Sequence, residues 1–140
     1  MTIPPDVAAQ LAKYRGAQAA RSTEVATVAE RHDFLVLYAD IGGAIGVRPD
    51  GEFVEVGWDD DHAVPLESLR WRDIALVTGA KTYPEIARLL PVRTRGDRTC
   101  DQCHGTGKVA VQGTTVEKLM CKCAGLGWIP EYWEKWSHER

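Results

Sequence analysis

All four cysteines of this 140-residue chain fall in two close pairs, Cys100-Asp101-Gln102-Cys103 and Cys121-Lys122-Cys123. Each pair runs into doubled glycines, Gly105 and Gly107 after the first, Gly125 and Gly127 after the second. Zinc takes four donors in a tetrahedron, with thiolate sulfur at about 2.3 Å, and two short loops that each present two cysteines are the common way to supply them. The glycines have a mechanical part in this reading. A loop that wraps a cation must turn its backbone sharply, often with positive φ, and aim amide N–H groups at anionic sulfur, which glycine does without steric cost. The pattern predicts one structural zinc held by Cys100, Cys103, Cys121 and Cys123. A catalytic zinc keeps an open position on three protein ligands, so four cysteines close the shell and leave the metal a folding role.

Other thiol chemistries fit less well. The spacing C-x-C is too tight for a comfortable structural bridge, and the N-terminus MTIPPDVAAQ has no basic region followed by an apolar run that would send the chain to an oxidising compartment. A redox C-x-x-C sits at a helix start that lowers the thiol pKa, whereas His104-Gly105-Thr106-Gly107 follows Cys103 here. An iron–sulfur centre or another metal is the remaining alternative to zinc, and His104, adjacent to Cys103, reads as a spectator rather than a ligand.

The two motifs, Cys100 to Gly107 and Cys121 to Gly127, resemble the C-x-x-C-x-G-x-G repeats of the DnaJ-type cysteine-rich zinc module. That family carries four repeats and two zincs, so two repeats imply one zinc. The second repeat departs from the pattern, because Met120 stands where its first cysteine would be and Cys121 is shifted by one. The likeness covers about 30 residues and the chain has no His-Pro-Asp signature, so it does not imply co-chaperone activity.

The second group of residues with chemical potential is acidic. Asp50, Glu52, Glu55, Asp59, Asp60 and Asp61 crowd one short stretch that contains no lysine or arginine. Such a face could meet a basic partner, speed its association and cover a cationic surface. It could equally be a solvated hairpin edge kept from aggregating by its charge. A hydrolytic metal site with His62 is disfavoured, since three consecutive aspartates cannot all face one cavity from a strand.

The elements that carry these groups are predicted to be α+β. Helical spacing of Val7, Leu11 and Tyr14, then of Val25 and Val28, predicts one bent helix or two over residues 5–32. From Phe34 the period changes to two, and Phe34–Ala39, Ala44–Arg48 and Glu52–Trp58 read as an antiparallel meander with a tight turn at Arg48-Pro49-Asp50-Gly51. Leu66–Thr78 favours helix over strand. Thr82-Tyr83-Pro84-Glu85 has the form of a capping box and opens a short helix over 83–90. Val92–Thr99 reads as a linker, and the segment between the cysteine pairs as a β-hairpin stapled at its base. Beyond Trp128, Pro130 starts an aromatic helix with Tyr132, Trp133 and Trp136. The expected organisation is an α+β domain over 1–95, a four-cysteine zinc hairpin over 96–129 and a C-terminal helix over 130–140.

Segment 34–60, with Asp40-Ile41-Gly42-Gly43, then Pro49-Asp50-Gly51 and Trp58-Asp59, is similar to the central sheet pattern of the SUKH superfamily. That family is α+β and includes bacterial immunity proteins that neutralise toxins by direct binding. The resemblance implies a protein-binding role.

Seventeen basic against 20 acidic residues give a formal charge of −3, which argues against a general phosphate-backbone binder. No nucleophile elbow and no phosphate-cradling glycine loop is present. The expectation is a cytoplasmic, non-enzymatic zinc protein without a membrane span that binds a protein, with Glu52, Glu55, Asp59, Asp60, Asp61, Trp128 and Trp133 as the partner surface. The alternatives are a chaperone or assembly adaptor that uses the zinc hairpin, and a zinc-dependent nucleic-acid binder using Arg93, Arg95, Arg98, Lys108, Lys118 and Lys122.

Overall fold

Two helices open the chain, α1 (Pro5–Ala19) and α2 (Glu24–Arg31). The computed structural model describes residues 3–19, 24–59, 62–101, 103, 105 and 123–133. Gly16 lies inside α1 and does not break it. The turn out of α2 closes on Asp33, whose φ of 59° takes the left-handed position usually given to glycine. Phe34 N–H then donates to Ala29 O (3.0 Å) and Asp33 N–H to Glu30 O (3.3 Å), which satisfies the carbonyls left open at the helix end.

The meander follows as β1 (Leu35–Ala39), β2 (Gly43–Val47) and β3 (Phe53–Gly57), all antiparallel. The turn between β2 and β3 is the expected one: Gly51 N–H donates to Arg48 O (2.9 Å) and Gly51 has φ 92°. A fourth strand, β4 (Ala63–Pro65), completes the sheet in the order β1-β2-β3-β4. Three residues are too few to show an alternating pattern, and its proline suits an edge strand, where no further ladder bond is needed.

The register slips between Val36 and Tyr38, a β-bulge in β1. Strict alternation would put Tyr38 on the same face as Val36; the bulge puts it instead on the face it shares with Leu37. That face carries Leu35, Leu37, Ile45, Val47 and Phe53 and packs against α1, α3 (Leu69–Thr82) and the 3-10 helix Pro84–Leu89. The other face, with Val54 and Val56, is closed by Phe34 and Ala29 at the end of α2. Gly46 permits this packing, because a Cβ there would lie 2.1 Å from Phe34 Cδ2 and 2.3 Å from Leu35 O. The exposed edge of β1 is covered by buried Gln18, which donates to Phe34 O (3.1 Å) and accepts from Val36 N–H (2.8 Å).

The helix expected over Leu66–Thr78 forms as α3 but begins at Leu69 and runs to Thr82, with Ser68 at its N-cap accepting from Trp71 N–H (3.2 Å). The expected capping box at Thr82 does not form. Thr82 is the last residue of α3, Tyr83 stands at the cap of the next element without a side-chain cap bond, and that element is a 3-10 helix rather than an α-helix.

The segment read as a linker ends in a strand, β5 (Arg98–Thr99), which pairs antiparallel with β6 (Trp128–Ile129). The hairpin expected between the cysteine pairs lies outside the described residues. Glu131–Trp133 are helical, as Pro130 predicts. No described helix is long and apolar enough to cross a membrane.

Candidate metal centre and acidic face

Cys100 leaves the end of β5, Cys103 follows one turn later and Cys123 returns just before β6, so the β5–β6 ladder draws the two motifs together. The Sγ atoms of Cys100, Cys103 and Cys123 all lie within 4.8 Å of one another, and all three residues are buried. The Cys103 and Cys123 sulfurs are 3.6 Å apart, and the three thiols are free of disulfides. Ligands about 2.3 Å from a tetrahedral metal stand ~3.8 Å apart, so this spacing suits thiolates around one ion. Three thiolates buried together repel one another unless a cation offsets them, and the donor set suits a borderline-soft divalent metal. Cys121, the fourth expected ligand, lies outside the described residues.

The backbone supplies what the sequence reading asked of the glycines. Gly105, Gly125 and Gly127 have φ of 82°, 91° and 89°, and Ala124 joins them at 58°. Gly127 N–H points at Cys123 Sγ (3.3 Å), a bond that favours the thiolate. Gly105 N–H donates to Cys100 O (3.2 Å), and Cys100 N–H to Gly127 O (3.1 Å), which ties each knuckle and then joins them.

Behind the sulfurs, Ala124, Ile129 and Trp133 form a small core onto which Leu69 and Ile74 of α3, Leu126 and Tyr132 pack. One residue the sequence reading missed anchors this contact. Asp73 of α3 is 0% exposed and accepts hydrogen bonds from Tyr132 Oη and from Trp133 Nε1 (2.9 Å), with Arg72 beside it at 3.4 Å. Burial, and then the Asp73 hydrogen bond, push the Tyr132 hydroxyl far above the ordinary tyrosine range. The only signal in the sequence was an aspartate among the apolar residues of a helix. Nearby, Asp97 accepts from Glu131 N–H (2.7 Å) and Thr94 N–H (2.6 Å), and these two bonds lower its carboxyl pKa.

The expected partner surface is divided by the structure. Trp133 is 4% exposed with its indole turned to Asp73, so its ring belongs to the interior, while Trp128 on β6 keeps partial exposure. Glu52 pairs with Arg48 (3.2 Å) across the hairpin turn and is locally neutralised. Glu55 and Asp59 are exposed; Asp60 and Asp61 lie outside the described residues. Only Glu55 lies on β3; Glu52 precedes the strand in the hairpin turn and Asp59 follows it in the next turn, so the described acids sit on three different pieces of backbone. No family model, no curated protein and no solved structure matches the chain.

Proposed function

We propose that this chain is a non-enzymatic protein-binding protein in which a single zinc on Cys100, Cys103, Cys121 and Cys123 is a structural staple, and that its partner is a basic protein bound in the manner of an immunity protein. The observation that carries the structural role is the burial of the three sulfurs, which leaves them directed at one another and at Gly127 N–H instead of at solvent. With the fourth thiolate the shell closes, and no position is left for a substrate. The carboxylates of Glu55 and Asp59, exposed and without an internal cation among the described residues, support a basic partner. The similarity of segment 34–60 to the SUKH sheet supplies the immunity form of the reading. The chaperone alternative is weakened by Tyr132 and Trp133, which face Asp73 rather than a client.

Elemental analysis of the purified chain is expected to find one zinc per molecule. For the partner, the test is affinity and association rate against the protein cross-linked to the tagged chain in its own cells, compared with Glu55→Gln/Asp59→Asn. The double variant is expected to associate about tenfold more slowly at low salt, with the difference shrinking as salt is added. Identical rates would exclude the acidic face. A partner that is a nucleic acid, with a steep salt slope insensitive to these carboxylates, would overturn the reading.

A further inference from the structure

Where the sheet face continues past Ile45 and Glu55, it runs out of side chains. The next cross-strand pair is Gly43 and Gly57, and the result is a hollow of about 380 Å³ at the open end of the sheet. Such a volume falls within the roughly 300–1,000 Å³ of ligand clefts. Its wall is aromatic: the β1 bulge turns Tyr38 toward Trp71 of α3, ring centroids 5.7 Å apart and tilted by 56°. Its rim carries Asp40, Glu55 and His62, and Val64 of the edge strand, 46% exposed, lies beside them. A second hollow of about 430 Å³ shares Glu55, Val64 and Trp71 with the first and adds Glu67, so the two form one groove. No lysine or arginine among the described residues lines either part.

The groove's upper lip is firmly built. Asp40 Oδ1 accepts from Gly42 N–H (2.8 Å) and Gly43 N–H (3.1 Å), Tyr38 Oη donates to Asp40 Oδ2 (3.1 Å), and Trp58 Nε1 donates to Asp40 O (2.8 Å). These bonds occupy the Asp40 carboxylate and hold the turn that presents Ile41, 101% exposed, to solvent. Glu55 is different: its carboxylate has no partner among the described residues and faces both hollows.

We propose that this groove receives an arginine side chain of the partner protein, its guanidinium stacked on the Tyr38–Trp71 wall and paired with Glu55, while Ile41 and Val64 meet apolar side chains to either side. This rests on the protein-binding reading above and names the chemistry of its contact. A guanidinium is planar, weakly hydrated and able to lie on an aromatic face while donating two parallel bonds to a carboxylate; an ammonium offers a strongly hydrated point charge and does neither as well.

The test needs no partner. The isotopically labelled full chain is titrated with N-acetyl-arginine amide, then with its citrulline and lysine counterparts, while the Trp71 indole and Glu55 backbone resonances are followed. Saturable shifts at both are expected for arginine, with the uncharged citrulline and the Glu55→Gln chain each weaker by about fivefold, the size of a partly exposed ion pair. Glu55 is exposed on β3, so that variant keeps the fold. Equal binding of citrulline, equal binding of lysine, or no saturable shift at Trp71 would overturn the assignment. A negative titration beside an intact Asp59-dependent protein complex removes the groove and leaves the protein-binding reading standing. Arginine binding with no protein partner removes that reading and, with it, the assignment of the arginine to a partner.

Discussion

Asp73 is the residue on which the junction between the cysteine cluster and the α+β sheet depends. It sits fully buried on α3 and its acceptors are filled by groups from the far end of the chain, Tyr132 Oη and Trp133 Nε1. Removing such a carboxylate strands both donors and leaves Arg72 beside an apolar hole, whereas removing one donor takes a single bond. Asp73→Ala is therefore expected to cost about 3–5 kcal/mol and Tyr132→Phe only about 1–2 kcal/mol in chemical denaturation. In the double variant the Tyr132→Phe penalty should vanish, since its acceptor has already gone. Additive penalties would mean that the two groups are not coupled. The same pair has an alkaline signature. The Tyr132 hydroxyl is held protonated in the folded chain above the value it has unfolded, so its contribution is complete below about pH 10 and is lost as pH rises beyond that.

At the scale of elements, the short β5–β6 ladder and the opening turn of the tail are clamped by Asp97, which bridges Thr94 N–H and Glu131 N–H. Those bonds depress its carboxyl below the ordinary value of 3.8. A depressed carboxyl stabilises the fold above its unfolded pKa and ceases to do so as pH falls through the folded value. Thermal melts of the wild-type chain and Asp97→Asn are expected to differ at neutral pH and to converge below about pH 4. Curves that stay parallel through that range would remove the clamp. Several elements were legible because their signals are local. The period-two pattern of Phe34–Trp58 and the Pro49-Asp50-Gly51 turn gave the meander, and the glycines after each cysteine pair foretold the positive φ at Gly105, Gly125 and Gly127. What was not legible depends on partners distant in sequence. β4 is a strand only because Val54–Val56 offers it a ladder, and β5 only because Trp128–Ile129 does. Thr82 has a capping sequence but was already claimed by α3. The Tyr38–Trp71 groove was invisible for a related reason, because the bulge that turns Tyr38 is a slip in pairing with β2 and leaves no mark on composition.

For the whole molecule, the described residues form one hydrophobic centre built on the two faces of the sheet, against α1 and α3 on one side and Phe34 and Ala29 on the other, and a second, smaller one gathered on Cys100, Cys103 and Cys123. The first consists of aliphatic and aromatic side chains on regular elements and can persist without metal. Among the described residues, the second has two-residue strands, loops with positive φ and only a small apolar cluster. On the zinc reading proposed above its stability comes from the ion, since in small metal-stapled folds metal affinity and folding free energy are the same quantity. Strong chelation is thus expected to separate the two. Trp133 should move from a buried to a solvated emission as its pocket around the sulfurs opens, while far-ultraviolet dichroism keeps the signal of α1, α3 and the four-stranded sheet. The sheet domain should also melt earlier, because release of Tyr132 and Trp133 leaves Asp73 on α3 with Arg72 alone of its three donors. Asp73→Leu, which replaces the carboxylate by an apolar group of similar size, should reduce that second effect and leave the Trp133 change in place. If chelation leaves Trp133 buried, the sulfurs do not hold a structural ion; if it unfolds the sheet in the same step even in Asp73→Leu, the two centres fold as one unit and the metal staples the entire chain.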